Sequence, residues 1–584
     1  MSAHDMPAPL PVKPSRTAVA VGKQPWWRSI AWVPSLYFAM GVPFNVVMGG
    51  TAARMYKSLG YPDGKITIAI GYIGIAWSLK PLWAAFLDMY RTKKFFVLLM
   101  EVLLGALFTS IAMAVPAPGF FQVSIALFWV AALASSTQDI CADGVYLTSL
   151  DRTSQARLAG VQGTFWVLGK VFAAGLLISV LDKVRAAEGW SDQRMWSTVM
   201  LACAVSMIVL AIYHFFYLPT GSIAHRPENA KQVVGDFVQT AITFFHKRQF
   251  WGMIAFVFLY RLGEGLILIE GQLFLQSDIA KGGLGLTAGE ASSIDAFYGT
   301  VASIVGGLLG GAFASWLTLP RALGVLGLCL NVPHFTYLFM SQAADHHGLG
   351  YWTIVTAVSI EKFGYGFGFV GNMVYMMQQL APGRSTMTHY AFATSLMNFM
   401  LIPTNMISGP LAEWLGFSTF FFVVMFASVP SAWAAFKAPF PLKDLGKAQG
   451  EGESAEQNVV TVDDPSVLTP EQRDVQARAG RASMFAMLNI LVILVLDARF
   501  VGSLREAEPG SSTRFVYLAL LVADAVLKVW LTVRALRAAS DAESRAAKVG
   551  DVAYRGNAKG ARVATWVCAA VSVAVLALAA ALAA

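Results

Sequence analysis

Long apolar runs alternate with short polar breaks along most of the chain, and the runs outlast what a soluble core would need. A hydrocarbon layer about 30 Å thick calls for roughly 20 apolar residues per helix. That ruler predicts spans near 29–52, 64–87, 95–115, 121–147, 157–181 and 196–217. A polar stretch, 218–249, separates them from spans near 251–275, 290–316, 320–341, 351–380, 386–413 and 417–437. The reading is an all-α polytopic membrane protein with a tail at 1–28, a six-helix bundle at 29–217, a middle loop at 218–249 and a second six-helix bundle at 250–438. Within the middle loop, Asn229 to Phe245 has the amphipathic pattern of a helix lying on a membrane surface. Residues 439–481, rich in Gly, Glu, Asp, Gln and Pro, predict a disordered linker. Apolar segments near 482–502, 513–535 and 562–584 then predict two or three accessory helices. Asp497, Arg499, Asp524 and Lys528 interrupt the first two, which therefore fit interfacial helices as well as spans.

Composition narrows the class. Of 584 residues, 56% are hydrophobic and 13% charged, about half the charge of an average soluble domain. The first 28 residues lack an apolar run followed by a small-residue cleavage site, so no cleaved leader is expected. A net charge of +8 raises the question of nucleic acid. Here, however, Lys and Arg concentrate in the loops on the N-terminal side, which predicts a cytoplasmic N-terminus and lipid as the partner. Arg54 and Lys57 read as residues of the opposite, outer loops. The cysteines Cys141, Cys203, Cys329 and Cys568 lie in apolar stretches without ligand spacing and read as packing residues. Neither an HExxH nor a GxxxxGK[ST] pattern occurs, so no enzyme, metal or cofactor is expected, and no obligate protein partner is inferred.

Charge inside a span is costly, at least about 2.5–3.5 kcal/mol at a helix centre, so each such residue is a functional candidate. The first half offers Lys80, Asp139, Asp143 and Lys170; the second offers Arg261, Glu264, Glu270, Asp295, Glu361 and Lys362. Asp139 and Asp143 are four apart and share one helix face. They suit either a protonatable pair or a clamp closed by neighbouring cations. Arg261 and Glu264, three apart, are placed to neutralise each other. Glu361 and Lys362 are adjacent and should point to different faces, needing separate partners. The glycines that follow, Gly364, Gly366, Gly368 and Gly371, admit either a ligand or a close-packed helix. Paired Gly/Pro positions (Pro34, Gly41 and Pro43; Gly263, Gly265 and Gly271) recur in the two halves, a pointer to a central cavity. Trp77, Trp166 and Tyr365 are candidates for stacking on a sugar or base, or for plain packing.

The segment LDMYRTKKF, Leu87–Phe95, resembles the first cytoplasmic-loop signature of the major facilitator superfamily. That resemblance implies an inner gate made of Asp88, Arg91, Lys93 and Lys94. Five further segments narrow the likeness: SLKPLWAAFLDMY from Ser78, SSTQDICADGVYL from Ser135, LYRLGEG from Leu259, EKFGYGFG from Glu361 and THYAFATSL from Thr388. In that order, over residues 30–437, they resemble the AmpG-type muropeptide permeases and the related acetyl-CoA transporters. The family likeness implies proton-driven import of anhydro-muropeptides across the bacterial inner membrane by alternating access, or acetyl-CoA transport. Lys80, Lys170 or Arg261 would then meet a negative charge on the solute, and Asp139, Asp143, Glu264 or Glu361 would take the proton. Departures from the family pattern are Ala85 in place of Pro, Met89 in place of Arg, and a second-half loop signature without Asp. A folate-like or sugar substrate, or a non-transporting sensor with the tail as output, stands as the alternative.

Overall fold

The computed structural model describes residues 26–80, 83, 87, 92–150, 152–221, 235, 241–347, 349–382, 386–442, 468–493 and 512–583. Twelve helical elements form the body. The first six are α1 (Val33–Met48, continued by Gly50–Ser58), α2 (Asp63–Ser78), α3 (Lys93–Ala114), α4 (Phe120–Ser149), α5 (Arg152–Val171, a π-turn Phe172–Leu176, then Leu177–Glu188) and α6 (Asp192–Tyr217). The second six are α7 (Phe250–Leu259 and Leu262–Gln276), α8 (Ala288–Ser292, a π-turn Ser293–Tyr298, then Gly299–Leu317), α9 (Leu319–Asn331 and Phe335–His347), α10 (Tyr351–Tyr375), α11 (Thr386–Leu415) and α12 (Phe417–Lys437). Nine helices among the described residues are long and apolar enough to cross a membrane. The face bearing the middle loop and its Lys and Arg is called the basic face below, and the opposite one the far face.

Small residues decide how closely the helices meet. A Cβ on Gly41 would lie 2.1 Å from the Trp166 carbonyl oxygen, and one on Gly169 would lie 2.3 Å from that of Phe38, so α1 and α5 touch backbone to backbone. In the second half, a Cβ on Gly366 would come within 2.0 Å of the Ser303 oxygen and one on Gly368 within 2.4 Å of the Leu326 oxygen. The glycine run after Glu361 is therefore the packing face of α10 against α8 and α9, the plainer of its two readings. α1 breaks at Gly49, which is extended, and α7 breaks around Arg261. Both first helices of the halves are thus discontinuous. Because α1 resumes at Gly50, Arg54 is not a loop residue: it is fully buried.

The two bundles meet toward the far face. Across that seam the Gly64 amide donates to Glu413 Oε1 at 2.9 Å, Gln276 to Ser58 at 3.3 Å and the Gly289 amide to Asp182 at 3.0 Å, while the Ser179 and Ser293 hydroxyls lie 2.9 Å apart. The α2–α11 seam is the most extensive between the halves, and Gly71 and Gly409 let those two helices approach closely. Toward the basic face, α4 and the first segment of α5 make no extensive contact with α10 or α11 among the described residues.

Three further helices, α13 (Pro470–Val492), α14 (Ser512–Val549) and α15 (Val552–Ala583), pack on one another and on the start of α7. α13 begins inside the stretch expected to be linker. Thr469 accepts from the Gln472 amide and Gln472 returns the bond, a capping box, with Pro470 in the first turn. Residues 443–467 and most of the amphipathic stretch from Asn229 lie outside the described residues. The tail docks through polar contacts: Phe250 N to Asn557 Oδ1 at 3.0 Å, Asn557 Nδ2 to the Lys247 oxygen at 2.8 Å and Trp251 Nε1 to Ser483 at 3.1 Å. Gly480 sits against the His246 ring. Burial and the positive charge of Arg481 push that imidazole down to about 4.

Candidate functional site

Glu270 apart, the charges expected inside the spans of the body fall into two groups, one on each bundle. On the first-half wall, Lys80 at the end of α2 pairs with Asp139 Oδ2 at 2.9 Å, the clamp reading of that acid. Asp143, one turn further along α4, accepts from the Tyr37 hydroxyl at 2.9 Å. Lys170 on α5 has no carboxylate within ion-pair distance among the described residues. Its ammonium lies 4.4 Å from the Trp166 ring centre and 5.7 Å from that of Phe44, a cation–π seat. Phe44 meets Trp77 edge-on at 5.0 Å and Trp166 at 5.3 Å, and the Lys80 ammonium lies 4.9 Å from the Trp77 ring centre. Trp77 is buried among these partners, whereas Trp166 and Lys170 are half-exposed. Asp295 and Lys362 lie near enough for Lys170 to feel their charges across the gap.

The second-half wall is different. Arg261 and Glu264 form a two-point ion pair, with Nε to Oε2 at 2.6 Å, as their spacing predicted. Arg54, Asp295, Lys362 and Glu361 form a chain of charges: Arg54 Nη2 to Asp295 Oδ2 at 2.6 Å, Lys362 Nζ to Asp295 Oδ1 at 3.4 Å and to Glu361 Oε2 at 3.2 Å. Glu361 and Lys362 therefore do not take separate partners. The long lysine stem swings round the helix to the glutamate beside it, and both turn toward α8. Arg54 belongs to the first half and Asp295 to the second, so this chain also bridges the far seam. Tyr365 is half-exposed and stacks on Phe369 at 5.5 Å, with Arg261 4.8 Å from the Phe369 ring centre.

Of the expected gate residues, Asp88 and Arg91 lie outside the described residues. Lys94 donates to the Phe215 carbonyl oxygen at 2.9 Å, capping the last turn of α6, where a cation is favourable. The stem of Lys93 lies against Gly144. Both contacts are within the first bundle.

Sequence reading passed over four buried residues. Tyr37 gave no signal, because a tyrosine in an apolar helix is ordinarily packing. Arg54 was hidden by its polar neighbours. Glu101 and His214, both fully buried, pair at 2.7 Å within the first bundle, with Ser35 3.0 Å from the other ring nitrogen and Gln138 donating to Glu101 at 3.1 Å. A single Glu in the apolar run of α3 was the available sign.

No protein-family model matches the chain. The anhydromuropeptide permease of Escherichia coli K12 is 26% identical over 409 residues, 68% of this chain and 76% of the permease. A Rickettsia conorii protein named as transporter AmpG 4 is 22% identical over 408 residues, 67% of this chain and 92% of its own length. Among solved structures, the nucleoside transporter NupG superposes with a TM-score of 0.53 at 13% identity, over 70% of this chain and 98% of its own. A bacterial homologue of the lysosomal transporter Spinster, in an inward-facing and unoccupied conformation, superposes with 0.50 at 12% identity, over 71% and 98%. The fold is that of major facilitator transporters, an all-α polytopic membrane fold. The resemblance to AmpG-type permeases read from the helix 2, 4, 7, 10 and 11 motifs is borne out, and these relatives are permeases and transporters rather than enzymes.

Proposed function

We propose that the protein is a secondary active transporter that imports a polar, anionic solute of the anhydro-muropeptide kind, coupled to protons, across a bacterial inner membrane. One observation carries the reading. A half-buried lysine with no carboxylate in ion-pair distance among the described residues, flanked by aromatic rings, lies between two bundles that meet toward the far face, while toward the basic face α4 and the first segment of α5 make no extensive contact with α10 or α11 among the described residues. Water-filled passages between pseudo-symmetric halves are where membrane proteins tolerate such charge. Lys170 is the anchor for the solute's negative charge. Trp166 and Tyr365, both half-exposed, offer ring faces to its sugar portion, while the buried Trp77 holds Phe44 and Lys80 in place. Asp143, held by a neutral tyrosine hydroxyl rather than a cation, is the acid best placed to exchange a proton during transport. Lys80–Asp139 and Arg261–Glu264 are self-compensated and act as clamps. With the basic face in the cytoplasm, the closed far seam faces the outside.

Uptake into proteoliposomes tests the proposal. An inward proton gradient should drive accumulation of anhydro-muropeptides. Asp143→Asn should remove the stimulation by the gradient while leaving solute exchange across the membrane. Accumulation of acetyl-CoA, folates or sugars instead would replace the substrate class, and no gradient-driven uptake of any solute would sink the reading.

A further inference from the structure

Glu270 lies on the second segment of α7, on the far-face side of the central charges, and none of the roles above uses it. Its side chain is fully buried, and neither carboxylate oxygen has a hydrogen-bond partner among the described residues. An ionised carboxylate enclosed without a donor costs several kcal/mol, so such a group is accommodated as the neutral acid.

The charged groups facing it come from three other helices: Lys57 of α1, Asp63 of α2 and Glu413 of α11. Lys57 is already matched to Asp63, Nζ to Oδ1 at 2.6 Å. Glu413 spans the seam to the Gly64 amide. Arg54, on the same segment of α1 as Lys57, lies by the Gln272 side chain and is paired with Asp295 of α8; among the described residues the remaining elements packed on this part of α7 add no other matched cation. α12 carries only Lys437, at its opposite end; His334 of α9 lies beside Gly263, two turns away; and Asp295 of α8 is held by Arg54 and Lys362. Among the described residues three acids thus face Lys57 in a closed seam, and of the three the Glu270 carboxyl alone has no partner to hold its charge.

We propose that Glu270 is a proton-binding site of the far gate, occupied while the seam is closed and emptied when the bundles part there and water reaches the carboxylate. The inference rests on the alternating-access reading and extends it to the other end of the passage. A ligand shifts a two-state equilibrium only by its differential affinity for the two states. A proton held in the closed gate and released in the open one changes the closed-to-open ratio by up to about tenfold per pH unit.

The experiment uses the full chain in lipid nanodiscs. Spin labels at Lys65→Cys and Lys281→Cys, both exposed at the far face, are placed in a background with the four native cysteines replaced, and their distance distribution is recorded from pH 8 to pH 5.5. The far-open population should fall as pH falls in the otherwise native protein. It should be small and independent of pH in Glu270→Gln, and should keep its pH dependence in Glu270→Asp and in Glu413→Gln. Size-exclusion profiles and melting temperatures establish that each variant is folded. If Glu270→Gln does not fold, a pH response that survives in Glu413→Gln and shifts in midpoint in Glu270→Asp still supports the site. A far-open population that ignores pH, or a pH response unchanged in Glu270→Gln or lost in Glu413→Gln, overturns the proposal and leaves alternating access standing. A seam that never opens, even with solute present, overturns both.

Discussion

The two walls of the passage treat buried charge in opposite ways. On the second-half wall the described buried cations have acids: Arg261 has Glu264, and Lys362 has Asp295 and Glu361, a chain that Arg54 of the first half joins at Asp295. On the first-half wall Lys80 is matched, but among the described residues Lys170 meets aromatic faces and no acid, and Asp143 a tyrosine hydroxyl and no paired cation. Paired ions are a means of staying folded and of holding the halves in register. Unpaired ones carry a standing cost that a ligand or a proton can relieve.

That contrast can be broken by treating two lysines alike. Lys362→Met removes the central cation of the chain and leaves Asp295 and Glu361 short of compensation. Stability should fall by about 3–5 kcal/mol, read as a large drop in melting temperature of the purified protein. Lys170→Met should do the reverse: folded stability should be unchanged or slightly raised. Binding of an anhydro-muropeptide should weaken by about 1.5–3 kcal/mol, roughly ten- to 150-fold in Kd, measured by calorimetry. Equal stability losses in the two variants would erase the distinction between the walls.

A smaller effect separates the body from the tail. Deleting the Asn557 side chain in Asn557→Ala leaves the Phe250 amide and the Lys247 carbonyl without their partner at the docking point. The cost should be about 1–3 kcal/mol, seen as earlier release of α13–α15 in hydrogen exchange, with solute binding unaffected. The smallest is a pH effect. Docked His246 is held to about 4 by burial and Arg481, whereas a free imidazole titrates near about 6.5. The docked state therefore binds fewer protons. Its contribution is complete above about pH 6.5 and declines as pH falls toward about 4. Melting curves of wild type and His246→Leu should run close together at neutral pH and separate by a few degrees at low pH, with wild type the less stable.

The helical body was legible because a bilayer imposes one length on every span, and the apolar runs record it to within a few residues. Register along the chain also carried local pairs: Arg261–Glu264 follows from spacing alone. What escaped depends on distances no local pattern encodes. Lys80 meets Asp139 across 59 positions, and Arg54 meets Asp295 across 241. Glu361 and Lys362 defied the rule that neighbours point apart, because a four-carbon stem is long enough to turn back. The start of α13 was legible in principle, since Thr469-Pro-Glu-Gln is a helix-opening pattern. The acidic, glycine-rich composition before it drew attention away. Whether glycines mark a ligand or a neighbour was undecidable without coordinates, because both demand the missing Cβ.

The most direct test of the account is whether water reaches Lys170 from one side only. In a protein whose native cysteines are replaced, Lys170→Cys is exposed to a charged, membrane-impermeant thiol reagent in right-side-out and in inverted vesicles. The account predicts modification from the basic face and protection by bound anhydro-muropeptide. A thiol that stays unmodified from both faces in folded protein would mean that position 170 is dry, and the passage between the bundles would go with it.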